Sequence, residues 1–280
     1  MDSLVSTDWL ASELEAKDLR IVDATYVLTA DGRDPKAEFD KGHIPHAVFF
    51  DIAEISDTAS KLPTMLPSAA KFASRMQALG VGDGNRVVVY DNSPYHSAAR
   101  AWWMLKLFGA HDVAILDGGL AKWRAEGRPM ESGKPTVRHR HFTVWDDRSA
   151  VRDLDEMKKN LETRAELVVD ARSAVRFRGE EPETRPGVVP GHIPGSLSLP
   201  QGNLFEADGT WKRGDALKAA FDAAGIDLSR PMVTTCGSGI TAAVVAFGAH
   251  LLGKRDVALY DGSWSEWGAD PSTPKAVGAA

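Results

Sequence analysis

The chain has a single cysteine, and its neighbours are those that would make a thiol reactive. Met232-Val233-Thr234-Thr235 is a short apolar, β-branched run that stops at Cys236. Gly237, Ser238 and Gly239 follow, and the alanine- and valine-rich series from Ile240 to Phe247 suits a buried helix. This reads as strand, tight loop, helix. A loop entering a helix presents free backbone N–H groups beside the positive end of the helix dipole, and both favour thiolate over thiol. Gly237 and Gly239 let the backbone curl around the sulfur where side chains would clash. A lone cysteine is also commonly a small buried hydrophobe. The flanking glycines, and a strand-end position of the kind where α/β sheets hold ligands, argue for chemistry instead.

A second stretch could handle an anion. Arg172, Arg176, Arg178 and Arg185 fall within fourteen residues, mixed with Glu180, Glu181 and Glu183. A guanidinium fork suits bidentate contact with a small carboxylate. Surface pairing with the three glutamates is the ordinary fate of such a run. The residues alone leave both readings open.

The elements that must position these groups come in two sets. Leu19 to Ala24 returns as Glu166 to Ala171, Gly42-His43-Ile44-Pro45 as Gly191-His192-Ile193-Pro194, and Asp112 to Gly118 as Asp256 to Gly262. Each copy closes on a tryptophan, Trp123 and Trp267. Order and spacing are kept over a period far too long for a solenoid, so two copies of one domain are expected. Within each half, strands alternate with helices, which predicts a mostly parallel sheet with helices on both faces. The first half shows strands at 21–24, 86–90 and 112–116, with helices at 68–79 and 98–107. The second shows strands at 167–171, 196–199, 232–235 and 256–260, with helices at 153–163, 215–224 and the one after Cys236. The expected domains are 1–130 and 151–280, joined by a linker over 131–150 within a stretch rich in Gly, Pro, Arg and His.

Composition narrows the function. The 280 residues carry a net charge of −6 without a Lys/Arg cluster, so no nucleic-acid partner is expected. No apolar run is long enough for a bilayer, the acidic start resembles no targeting peptide, and one cysteine suits a reducing compartment, so a cytoplasmic location away from membranes is expected. No metal-ligand spacing appears.

The duplication also serves as an internal control. His43 and His192 occupy the same turn in both copies, which points to a hydrogen-bonding structural role. Asp23/Asp170 and Asp117/Asp261 are likewise shared strand-end residues. Cys236 is not shared: Asp91 stands in its place, so the first copy is expected to be catalytically silent, supplying cleft wall and stability. The arginine-rich stretch is also unshared, its counterpart holding only Arg33.

These features resemble the two-domain rhodanese-like sulfurtransferases, across essentially the whole chain. The loop from Cys236 to Ala242 is most similar to that of the 3-mercaptopyruvate-using branch. Thiosulfate-using members typically carry an arginine and a lysine where this chain has Gly237 and Ser238. The resemblance implies tandem rhodanese-like α/β domains and a persulfide on Cys236, cradled by the loop from Gly237 through Ser238, Gly239 and Ile240 to Thr241. It implies that Arg176 and Arg185 clamp the substrate carboxylate and carbonyl, and that Ser238 assists at the departing enolate. A thiol such as thioredoxin, or cyanide, would take the sulfur, with no metal or organic cofactor. One departure stands out. Many relatives place a relay histidine before the Met65-Leu66-Pro67 stretch, and this chain has Thr64, which leaves the proton for the enolate to come from elsewhere. Two other readings remain for comparison, thiosulfate transfer and a thiol redox-sensing or binding module, while a third, a cysteine phosphatase, is set aside. The last requires an arginine where Ala242 stands.

Overall fold

The computed structural model describes residues 1–279. The chain folds as two compact units, one of residues 1–58, 66–147 and 206–210, the other of 59–65, 148–205 and 211–280.

The first unit is built on five parallel strands, β1 (Leu4–Val5), β2 (Leu19–Asp23), β3 (Ala47–Phe49), β4 (Arg86–Tyr90) and β5 (Asp112–Leu116), in the order β1-β5-β4-β2-β3. The second repeats the plan with β6 (Val151–Arg152), β7 (Leu167–Asp170), β8 (Leu197–Ser198), β9 (Met232–Thr235) and β10 (Val257–Tyr260), in the order β6-β10-β9-β7-β8. The middle strand in each case, β4 or β9, is the run of β-branched residues that the sequence marks most clearly, because both its faces are covered. The edge strands β1, β3 and β6 have two or three residues and show no period in the sequence, whereas the equally short edge strand β8 lies within the strand expected at 196–199.

Helix ends follow local chemistry. Asp153 caps Leu154–Thr163 by accepting the Glu156 amide, while the Glu156 carboxylate takes the Asp153 amide. Ser68 caps Ala69–Ala78 in the simpler form, at the Lys71 amide. Helices Ala98–Leu107 and Ile240–Leu251 follow β4 and β9 and are buried almost all round, so they pack as core elements rather than amphipathic covers.

The shared motifs keep the same architecture in both units. His43 Nδ1 donates to the Phe39 carbonyl at 2.7 Å, and His192 Nδ1 does the same to the Phe177 carbonyl at 2.8 Å. Each imidazole stacks on that phenylalanine, at 4.0 and 3.8 Å between centroids. Trp123 and Trp267 are fully buried, and their indole N–H groups donate to Pro129 and Pro274 carbonyls.

The stretch expected as a linker is not loose. His43 exchanges two backbone bonds with Glu131, the Asp83 amide donates to the His141 carbonyl, and the Trp145 amide to the Phe108 carbonyl. Phe142, 4% exposed, sits edge-on to Phe72 in the core of the first unit. At Gly82 a Cβ would lie 2.5 Å from both the Arg140 side chain and the His141 carbonyl, so the strap's close approach requires glycine there. Gly, Pro and Arg content reports irregular backbone, which need not be free backbone.

Among the described residues no helix is long and apolar enough to cross a membrane.

Candidate active site

In a parallel sheet all strands end on the same edge, so the loops after β7, β9 and β10 converge without further design. The loop after β9 begins with Cys236, which is 2% exposed. Three of its carbonyls are held by other segments. The Cys236 carbonyl accepts from the Trp264 amide at 2.9 Å, and the Gly237 carbonyl accepts from the Ser265 amide and hydroxyl at 3.0 and 2.5 Å. The Ser238 carbonyl accepts from the Thr64 hydroxyl at 2.6 Å. The Gly239 amide donates to Cys236 Sγ at 3.1 Å. Gly239 has φ +79 and hands the chain to helix Ile240–Leu251, a conformation that glycine adopts without strain. The amides of Gly237 and Ser238 donate to no group among the described residues, and neither does the Ser238 hydroxyl. The sulfur is buried, then, but with a backbone amide donating to it.

The four arginines divide sharply. Arg172 is 3% exposed and engaged at all three nitrogens: it donates to Asp170, to Glu183 and to the Gly191 carbonyl, with its guanidinium 4.5 Å from the Trp264 ring. Burial works against its charge, but attraction to Asp170 and Glu183, with Cys236 adding to it, wins and raises its pKa. Arg178 pairs with Glu180 at the surface. Arg176 is fixed through one nitrogen, at 2.5 Å from Glu183 Oε2. A Cβ built on Gly237 would lie 3.5 and 3.7 Å from its Nη2 and Nη1, so this guanidinium lies directly against the cysteine loop. Arg185 is likewise anchored through one nitrogen, which donates to Ser265 Oγ. The other nitrogens of Arg176 and Arg185 have no partner among the described residues. Two anchored forks with open donors can receive an anion, whereas a buried one committed at all three nitrogens is already neutralised by its own carboxylates.

The salt-bridge reading therefore holds for Arg172 and Arg178. For Arg176, Glu183 serves as the fixture that aims it. Ile240 and Thr241 open the helix behind the sulfur, where first-turn N–H groups lack intrahelical partners.

Several site residues escaped the sequence reading. Ser263 Oγ accepts the Cys236 amide at 3.2 Å while donating to the Tyr260 carbonyl. Ser265 links Arg185 to the Gly237 carbonyl. Extending the half-to-half comparison by three residues would have found both, since Gly119 and Ala121 stand at those positions in the first copy. The backbone is conserved in shape: Gly119 has φ +54 and Ser263 φ +50, and the Leu120 amide donates to the Asp91 carbonyl as the Trp264 amide does to that of Cys236.

In the first unit Asp91 follows β4 as Cys236 follows β9. Its carboxylate accepts from the amides of Ser93 and Ala98 at 2.9 and 2.7 Å, binding its own loop rather than any ligand. Desolvation pushes its pKa up to about 6. Asp23, 2% exposed, is also pushed up to about 6 by burial, with the nearby Asp91 charge adding to it. Its second-unit counterpart Asp170 has Arg172 as counter-ion; among the described residues Asp23 is held by the Thr25 amide and hydroxyl and the Tyr90 hydroxyl. A folded-state pKa above the unfolded value stabilises below the ordinary carboxylate range, and that contribution is lost as pH rises through about 6. Asp23→Asn keeps the shape and removes the titration. Urea midpoints should show the variant gaining roughly 2 kcal/mol on wild type between pH 4 and pH 8. Parallel pH curves for the two proteins would refute this.

Comparison with known proteins matches these features to a family. The rhodanese-like domain pattern fits residues 6–126 and again 153–270. The chain is 44% identical over 271 residues to 3-mercaptopyruvate sulfurtransferase of Homo sapiens, covering 95% of this chain and 91% of that protein. It is 40% identical over 294 residues to thiosulfate/3-mercaptopyruvate sulfurtransferase 1, mitochondrial, of Arabidopsis thaliana, covering 98% and 78%. Among solved structures it resembles SseA from Escherichia coli, described as showing the rhodanese fold and catalytic mechanism of 3-mercaptopyruvate sulfotransferases. There the TM-score is 0.86 at 38% identity, over 95% of this chain and 100% of that one.

Proposed function

This chain belongs to the rhodanese-like family, in two tandem copies, and on that footing we propose that it transfers the sulfur of 3-mercaptopyruvate through Cys236 to a thiol or cyanide, releasing pyruvate. The observation that carries the reading is the Gly239 amide on Cys236 Sγ, with the open donors of Arg176 against the same loop.

The donor's carboxylate and keto oxygen take the free nitrogens of Arg176 and Arg185, which brings its sulfur to the Cys236 thiolate. The thiolate attacks that sulfur, an S–S bond forms, the C–S bond breaks, and its electron pair becomes the enolate of pyruvate. The two guanidinium groups and the Ser238 hydroxyl stabilise this oxyanion as it develops. The enolate carbon then takes a proton, which threonine at position 64 does not relay as a histidine there would. The outer sulfur of the persulfide rests among the amides from Gly237 to Thr241 until an acceptor thiolate such as that of thioredoxin, or cyanide, attacks it and returns the Cys236 thiolate. Two half-reactions through one covalent intermediate give ping-pong kinetics. The first unit, with Asp91 at the equivalent position, takes no part in the chemistry. A cytoplasmic setting keeps the single thiol reduced.

The deciding experiment assays mercaptopyruvate and thiosulfate side by side as donors to cyanide, with intact-mass detection of one added sulfur. Preference for mercaptopyruvate is expected, and preference for thiosulfate would move the chain to the other branch. Ser238→Lys puts a cation beside the incoming sulfur, where it favours a dianion over a monoanion. It should raise the thiosulfate-to-mercaptopyruvate ratio roughly tenfold; an unchanged ratio would remove position 238 from donor selection.

A further inference from the structure

We propose that Thr64 is a positioning residue for the sulfur: through the Ser238–Gly239 peptide, its hydroxyl holds the amide that binds Cys236. The two bonds lie on one peptide unit. Thr64 Oγ1 donates to the Ser238 carbonyl at 2.6 Å, and the N–H of that same unit, on Gly239, donates to Sγ at 3.1 Å. In a planar trans peptide the C=O and N–H point in opposite directions. Holding the oxygen toward Thr64 therefore fixes the direction of the N–H toward the sulfur.

Such a hold is needed here. Rotating this peptide changes ψ of Ser238 and φ of Gly239, and glycine offers little steric resistance to that rotation. The peptide is not restrained by the sheet, because β9 ends at Thr235, and it precedes the helix that begins at Ile240. The hydroxyl also acts electronically. A carbonyl that accepts a hydrogen bond makes the N–H of its own peptide a better donor, so the Thr64–peptide–sulfur chain strengthens along its length as charge collects on sulfur.

Thr64 makes this contact from a costly conformation. Its φ is +53, a region that β-branched residues avoid, and it is 8% exposed. Residues 59–65 belong to the same compact unit as Cys236, although 174 positions separate the bonded pair in sequence. Thr64 lies outside the clamp, so its effect falls on the sulfur step and leaves substrate affinity alone.

The proposal rests on Cys236 being the working sulfur, and its test does not depend on the donor. Thr64→Val keeps the β-branched shape without the hydroxyl, and Thr64→Ser keeps the hydroxyl. Thr64→Gly removes hydroxyl and backbone strain together, which provides a folded variant lacking the bond should valine unfold. Each full-length variant is compared with wild type for the rate of Cys236 alkylation by iodoacetamide at fixed pH, and for kcat and KM with mercaptopyruvate. Alkylation and kcat should fall roughly three- to tenfold in the valine and glycine variants with KM unchanged, and serine should restore both. Wild-type alkylation in the valine and glycine variants overturns the proposal, as does a serine variant as slow as valine. If wild type moves no sulfur from mercaptopyruvate, the functional reading fails, while the alkylation rates still decide the role of Thr64.

Discussion

Cys236→Ser is expected to abolish sulfur transfer, by roughly three to six orders of magnitude in kcat, without unfolding the protein. The oxygen analogue cannot form a persulfide, and a serine hydroxyl is a far weaker nucleophile than a thiolate, so both half-reactions are lost together. The fold should survive because the replacement is smaller and has a partner waiting: the Gly239 amide that donates to Sγ at 3.1 Å can donate to Oγ. The loop's carbonyls are held by Trp264, Ser265 and Thr64 through bonds that do not involve the side chain being changed. Stability should therefore move by no more than about 1–2 kcal/mol. Thermal unfolding, cyanide-coupled turnover and intact mass after donor treatment make the test. Residual turnover above a hundredth of wild type, or a sulfur adduct on the serine variant, would end the persulfide reading.

The second large effect is expected at Arg185. Arg185→Leu removes a guanidinium whose unanchored nitrogens take the donor's carboxylate in the proposed mechanism, and charge-assisted bonds of this kind contribute roughly 1.5–3 kcal/mol. The corresponding loss is about ten- to 150-fold in kcat/KM for mercaptopyruvate. Part should appear in KM, since the bound donor already carries the carboxylate, and part in kcat, since the keto oxygen gains charge only as the enolate forms. Arg185→Lys should recover the first part more than the second, because an ammonium supplies charge without the planar fork. Arg176→Leu should behave similarly, with an added cost: it leaves Glu183 with Arg172 as its single guanidinium partner. Steady-state kinetics on the three variants check this. Unchanged kcat/KM with lowered stability would return both arginines to a purely structural role.

The contrast among the arginines shows where reading a sequence stops. Four guanidinium groups in one glutamate-rich loop look alike on paper, and composition alone could not say which would bind an anion. Resemblance singled out Arg176 and Arg185. The reason they differ is three-dimensional: Arg172 turns inward to Asp170 and uses its whole fork, whereas Arg176 and Arg185 each use one nitrogen and keep the rest open. Glu183, read as a possible surface partner, is the side chain that holds both Arg172 and Arg176.

What the residues determined by themselves is whatever is written locally or twice. The β-branched runs marked the central strands, the glycines marked the turn at Cys236, and the internal repeat exposed Asp91 as the replaced nucleophile and His43 and His192 as shared scaffold. These signals survive in one dimension because each depends on near neighbours or on a copy that can be laid alongside. Only the tertiary structure decided which distant groups complete the loop. Ser263, Ser265 and Thr64 reach it because parallel strands end at one edge and because a seven-residue segment from early in the chain joins the later unit. Hydrogen-bond partners chosen across such distances leave no spacing or period behind, since what selects them is the direction of a peptide plane rather than the order of residues.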